Sequence, residues 1–248
     1  MKRRLSVGLS IAMLATLAVS GAATAASPFQ NGSFENPTGT AVGSFTTLTA
    51  GTPTATWITG WTVGAGTIDW VGTLWQAADG ARSVDLNGNG PGSIYQAFDT
   101  TTGHTYRVNF ALSGNPQADL GLKSMTLFAL SGTDATSATF SFNTQTMANT
   151  TGDMKWQSQS FTFTATAAST TLTFMSATPT TAFGPAIDNV SVTDVTKTPG
   201  QGGVGKGGPG AQCKNGGWKH ITGHTFRNQG QCVSWFATKM RHGGAGPK

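Results

Sequence analysis

Residues 104–112 read His-Thr-Tyr-Arg-Val-Asn-Phe-Ala-Leu, and this stretch decides the fold class. Tyr106, Val108, Phe110 and Leu112 share one face of an extended chain, with Arg107 and Asn109 on the other. That period of two marks a strand buried on one side only. Ser160-Phe-Thr-Phe-Thr164 and Thr171-Leu-Thr-Phe174 repeat it. Working outward, further strands are expected near 57–62, 67–71, 82–86, 93–98, 124–129 and 138–142. Turn signals separate them: Gly64-Ala-Gly66, Asn87-Gly-Asn-Gly-Pro-Gly92, Ser113-Gly-Asn-Pro116 and Ser131-Gly-Thr-Asp134. No long helical period interrupts the series. Many short strands with turns between them predict an all-β sandwich or barrel.

The first residues have the pattern of a secretory signal. Lys2, Arg3 and Arg4 precede an apolar stretch from Leu5 to Val19, and Ala23-Thr-Ala25 supplies the small-residue cleavage site. A signal peptide over 1–25 is therefore expected, and with it a secreted, extracellular protein. The stretch is shorter than the ~20 apolar residues of a spanning helix, and no later segment is long and apolar enough to span a bilayer. Residues 26–196 remain for a β-sandwich domain. At that length a single core buries about 70% of the unfolded surface, so the domain needs no disulfide, and it contains no cysteine.

Charge is divided sharply along the chain. Residues 27–196 hold four basic residues against all ten acidic ones, a net of −6; residues 197–248 hold eight basic residues and no acid. A basic extracellular tail is suited to an anionic envelope surface, with a merely solvated tail as the alternative. Nucleic acid is a poor partner for a secreted chain with an acidic body. Residues 197–212 are a glycine-rich linker, too poor in apolar groups to fold. Its Gly200–Gly207 portion imitates a phosphate loop but lacks the Ser/Thr that would hold magnesium. The only two cysteines, Cys213 and Cys232, are expected to pair and close a small basic module over 213–241. Such a loop closure is worth about 3 kcal/mol. Trp218, Phe226, Trp235 and Phe236 would form its core, a short helix would start near Cys232, and residues 242–248 would be a disordered tail.

Two segments near the ends of the body carry unusual acids. Asn31-Gly-Ser-Phe-Glu35 contains the only glutamate, and Phe183-Gly-Pro-Ala-Ile-Asp-Asn-Val-Ser-Val192 sets Asp188 in an apolar run. They read as the first and last strands of one sandwich, which would bring the two carboxylates together. Between them, in order, lie Ile58-Thr-Gly-Trp-Thr-Val63, Ile68-Asp-Trp70, Ala78-Asp-Gly80 before Ser83-Val-Asp-Leu86, Gly92-Ser-Ile-Tyr-Gln96 and Gly103-His-Thr-Tyr-Arg-Val-Asn-Phe110. This ordered set resembles the choice-of-anchor C family of bacterial surface proteins and the related plant cell-wall family with a domain of unknown function. The resemblance implies a galactose-binding-like jelly-roll β-sandwich with an extracytoplasmic role, associated with the cell wall, and polysaccharide as the partner. The plant relatives usually carry two such domains and several cysteines; this chain has one domain and none of those cysteines.

Carbohydrate-binding jelly rolls of this design often hold a structural Ca²⁺ between first and last strands. Glu35 and Asp188 would be its side-chain ligands, with backbone carbonyls completing the oxygen shell. The alternative is that Glu35 bonds a nearby side chain or backbone amide, since a buried carboxylate needs some partner. For sugar, the expected platforms are Trp57, Trp70, Trp75, Tyr95 and Trp156. The polar groups expected beside them are Asp69, Arg82, Asp85, Asn87 and Gln96. Core packing competes with sugar stacking for each tryptophan, and for Trp61 it prevails. Catalysis finds little support: no pair of carboxylates stands in a glycosidase-like setting, His104 is the only histidine of the body, and Gly-x-Ser-x-Gly is absent. The reading is a secreted, non-catalytic polysaccharide-binding protein. A structural or adhesive surface protein held by its basic tail is the alternative, and a secreted hydrolase the remote one.

Overall fold

The computed structural model describes residues 27–39, 43–179, 181–196, 213, 217–221 and 225–241. The expected signal peptide, the glycine-rich linker and the last seven residues lie outside these. Eleven strands are present among the described residues: β1 (Phe45–Thr49), β2 (Thr62–Ala65), β3 (Thr67–Val71), β4 (Ser83–Asp85), β5 (Ser93–Asp99), β6 (Thr105–Gly114), β7 (Leu122–Ser131), β8 (Asp134–Asn143), β9 (Gln157–Thr164), β10 (Ser169–Ser176) and β11 (Pro185–Asp194). They form two antiparallel sheets, a six-stranded one in the order β1-β3-β4-β11-β6-β9 and a five-stranded one in the order β2-β5-β10-β7-β8. The chain changes sheet at most connections, so strands distant in sequence become neighbours: β11 lies between β4 and β6, and β10 between β5 and β7. This is the sandwich expected from the alternation, with the jelly-roll order that the resemblance implied.

The core follows from the period of two. Tyr106, Val108, Phe110 and Leu112 of β6 all point inward and are buried, as are Leu172 and Phe174 of β10. Phe110 and Phe174 meet edge to face at 5.3 Å across the sandwich, and Phe174 and Phe34 both pack on Trp61. Trp61 is therefore core, as expected. The expected strand at 57–62 is corrected. Pro53 opens a 3₁₀ turn (Pro53–Thr56) with Trp57 at its end, Ile58 makes a single bridge to Pro37, and the strand begins only at Thr62. Conversely, β1 escapes the sequence pattern because its threonines surround one fully buried side chain, Leu48.

The segment 31–35 is not a strand either. Asn31 (φ 53°) and Phe34 (φ 59°) are left-handed, and Phe34 N–H donates to Asn31 O at 3.1 Å. The resulting turn lies on β11 where its pairing with β6 shifts register between Asp188 and Ser191, and where Asn189 has φ 49°. Val190 N–H donates to Gly32 O at 2.8 Å. The approach is so close that a Cβ on Gly32 would stand 1.7 Å from Val190 O.

Beyond the sandwich, Cys213 and Cys232 form the expected disulfide, with Cα atoms 5.8 Å apart. Helix α1 is a single turn (Thr144–Met147), and helix α2 runs Gln229–Arg241, longer than expected. Its start is a reciprocal cap: Gln231 N–H donates to Asn228 Oδ1 at 2.9 Å, and Gln231 Oε1 accepts from Arg227 N–H at 2.7 Å. Both cysteines and Phe226 are buried, with Trp218, Trp235 and Phe236 packed around them.

Gly32→Ala forces the 31–35 turn off β11. The substitution should cost about 1–3 kcal/mol, seen as a lower urea midpoint with unchanged slope.

Candidate functional site

The two singled-out acids do come together, around a loop rather than an ion. Glu35 Oε1 accepts from the backbone N–H groups of Ala81 and Arg82, both at 2.7 Å. Asp188 Oδ2 accepts from Ala78 N–H at 2.7 Å and Asp79 N–H at 2.9 Å, and its Oδ1 from Asn189 N–H at 2.6 Å. Between the paired donors sits Gly80, at φ 67°, where a Cβ would meet Glu35 Oε1 at 2.5 Å. Residues 78–82 are thus clasped from both sides by carboxylates. Calcium needs a shell of oxygens. Here the oxygens face N–H donors, and the Arg82 guanidinium lies 3.9 Å from Glu35 Oε2. The bonds seen here are those of the alternative reading, carboxylates bonded to backbone amides.

Two of the five expected aromatic platforms, Trp70 and Trp75, are buried. Trp70 is fully buried; its Nε1 donates to Phe34 O at 3.1 Å, and Arg82 lies 4.6 Å from its ring centre. Trp75 is buried with Val71, Met154 and Ala186, donating to Ser83 Oγ at 2.8 Å. Neither presents a face to a ligand, which corrects both expectations. Trp156 leans on this second cluster and donates to Gln76 O at 2.9 Å, keeping part of its surface exposed. Trp57 packs against the main core, its ring against Gly39.

The expected polar groups are internal too. Asp69 and Asp85 are direct partners across β3 and β4, on the outward side of the six-stranded sheet. Asp69 is bonded by Thr47 at 2.6 Å. Asp85 is fully buried, and accepts from the N–H groups of Asn87 (2.9 Å) and Gly184 (3.1 Å) and from Asn115 Nδ2 (2.8 Å). Asn87, also fully buried, donates to the carbonyls of Thr178 and Thr181. Gln96 is buried and exchanges both its amide bonds with the backbone of Gln30. Asp85, Asn87 and Gln96 therefore tie loops and strands together and do not face a ligand. Burial pushes the Asp85 carboxyl up to about 8, against the pull of its N–H partners and with the charge of Asp69 adding to the rise. Burial likewise pushes Asp188 up to about 7.

Tyr95 is the exception. It points away from the core on β5, half-buried, with its ring against Gly64 of β2 at 3.0 Å from that residue's would-be Cβ. The strand register sets Tyr95 in a row across the outer face of the five-stranded sheet: Thr62, Tyr95, Thr173, Phe128, Ser137. Hydroxyl and aromatic groups alternate along it. The rows on either side add Met175 with Thr126, and Thr171 with Leu130. Met175 (39%) and Leu130 (46%) are exposed, so this face has an apolar component in the open. Phe128 was not expected. Its signal lay in Met125-Thr-Leu-Phe-Ala129, where alternation sends Phe128 outward once Met125 and Leu127 are placed inward.

A family model described as a protein of unknown function (DUF642) matches residues 27–193. The chain belongs to the DUF642 family. This is the family with a domain of unknown function to which the ordered motifs pointed. The chain is also 34% identical over 190 residues to Halomucin of Haloquadratum walsbyi (strain DSM 16790 / HBSQ001), a match covering 74% of this chain and 2% of that protein. Among solved structures, the TmCBM61 module in complex with β-1,4-galactotriose aligns with TM-score 0.42 at 16% identity, over 68% of this chain and 98% of its own. A CBM35 from Paenibacillus barcinonensis aligns with TM-score 0.38 at 23% identity, over 60% and 98%. These likenesses are distant, and the jelly-roll assignment of this DUF642 domain rests on its own strand pairing.

Two predictions follow from the buried acids. Asp188→Ala strands three backbone N–H groups and should cost about 3 kcal/mol or more, whereas Glu35→Ala, at a wetter site, should cost about 1 kcal/mol; urea unfolding of both variants measures the difference. Asp85 and Asp188 hold protons in the folded state at pH values where an unfolded aspartate (about 3.9) has lost them. The native state then binds more protons than the unfolded one, and stability falls as pH rises. The melting temperature should decline from about pH 4.5 to about pH 8, and Asp85→Asn should flatten the upper part of that decline.

Proposed function

We propose that this DUF642 protein is secreted and non-catalytic, and binds cell-wall or extracellular polysaccharide through the outer face of its five-stranded sheet. The observation that carries the reading is the alternating row through Tyr95 and Phe128. Sugars are recognised by aromatic rings stacked on their C–H faces and by hydroxyl-bonding groups between them, and the row supplies both on a rigid sheet. The signal pattern at residues 1–25 supports secretion. The carboxylates expected at a site, Asp85 and Asp188, are engaged by backbone amides, which supports binding over hydrolysis. The role matches that implied by the resemblance to choice-of-anchor C surface proteins.

The basic module at 213–241 has a separate task in this reading, attraction to an anionic envelope. Two weak attachments on one chain raise avidity without strengthening either. A structural or adhesive role would need only that second attachment. Pull-down on insoluble polysaccharides separates the two, using residues 27–196 and the full mature chain in parallel. Saturable binding by residues 27–196 is expected. Retention only when the tail is present, and only on anionic material, would support the adhesive role instead.

A further inference from the structure

The register of the five-stranded sheet constrains which glycan fits. Tyr95 and Phe128 stand in one row with Thr173 directly between them. Two strand spacings separate the rings, about 10 Å, which is the length of two sugars in an extended chain. Resting on the polysaccharide-binding reading above, we propose that this face takes a neutral, extended β-1,4-linked glycan laid across the strands, alternate sugars stacking on Tyr95 and Phe128.

In a ribbon-like β-1,4-linked chain, every second sugar turns the same face to the same side. Two such faces meet two rings at this spacing, and the sugar between them lies over the Thr173 hydroxyl. A helical α-linked chain rotates its faces out of line and cannot seat both rings. The row also runs from one edge strand to the other, Thr62 on β2 to Ser137 on β8. A polymer can therefore continue past both ends, so an internal stretch binds and no chain end is required.

Charge selects within the β-linked class. Among the described residues, neither this row nor the row on either side holds a charged side chain. Asp99, paired with Ser169, is one row further out and is itself acidic. A uronic-acid polymer would find no cation here for the carboxylates it must partly desolvate. A neutral chain gives up only hydroxyl hydration, which Thr62, Thr173 and Ser137 can replace. The Tyr95 ring is supported by Gly64 and both aromatics are half-buried, so little side-chain freedom is lost on stacking.

Calorimetry on the mature full chain tests this with cellohexaose, xylohexaose and mannohexaose, against maltohexaose and hexagalacturonate. At least one of the first three should bind, and the last two should not. Tyr95→Ala and Phe128→Ala should each weaken binding about tenfold or more. So should the double variant F128L/L130F, which keeps the composition of the face but moves the second ring out of the row. All three changes are on the solvent side, and a thermal melt checks each fold; threonine replaces alanine in any variant that melts early. Undiminished glycan binding by these variants would sink the proposed face while leaving polysaccharide binding intact. Preference for hexagalacturonate or maltohexaose would overturn the ligand class. Failure of the unaltered chain to bind any soluble or insoluble glycan would overturn the polysaccharide reading itself.

Discussion

Five consecutive residues without regular structure, Ala78 to Arg82, would leave backbone N–H groups unsatisfied at the end of the sandwich if nothing accepted from them. Glu35 and Asp188 accept four of these bonds. Each carboxylate comes from an opposite end of the domain sequence, so the clasp also records that the N-terminal turn and β11 have met. Two left-handed residues, Asn31 and Asn189, aim the segments that carry these acids. An isolated carboxylate buried this way would be costly, and a loop with open donors equally so. Together they offset one another, and the loop is held in one conformation.

That conformation has consequences for where a ligand can go. The clasped loop places Arg82 on Trp70 and sets Trp75 beside Val71, Met154 and Ala186. Gly184 N–H donates to the fully buried Asp85. On the outward side of the six-stranded sheet at this end, Val71, Trp75, Met154 and Ala186 pack together and Asp85 is fully buried. The opposite sheet is different. Its outer rows are threonine, serine and single aromatics, with Met175 and Leu130 exposed. A domain that spends its tryptophans on packing one sheet leaves Tyr95 and Phe128 as the rings with free surface on the other.

Much of the fold was legible in the sequence because the alternation of β5 to β11 is local. Tyr106 to Leu112 and Phe161 with Phe163 declare their inward face without knowledge of any partner. The site was less legible, for a reason of the same kind. Whether an outward ring is exposed depends on what covers that side, and cover is not local. Trp70 faces the core beside Ile68 and Val84, and Trp75 is packed with Val71, Met154 and Ala186, whereas Tyr95 faces outward and is half-buried. Glu35 and Asp188 were recognisable as partners from their settings, but the donors between them are backbone groups, which no side-chain pattern announces. The row joining Tyr95 to Phe128 exists only once five strands, distant in sequence, are in register.

The division of charge now has a physical sense. A flat face with two half-buried rings and hydroxyls gains little per sugar and nothing from long-range attraction, because it carries almost no charge. The acidic residues of the body are largely occupied elsewhere: Glu35 and Asp188 by the clasp, Asp85 by loop amides, Asp153 by Lys155, Asp194 by His104. In the proposed function, steering toward an anionic surface would come from the segment after residue 196, whose charged side chains are all basic. Within that segment a helix is tied by the Cys213–Cys232 disulfide and capped by Asn228 and Gln231. In that reading, attraction through one segment and stereochemical selection through the other would be separable because they use different physics: the first weakens with salt, and the second, resting on ring stacking and hydroxyl bonds, does not.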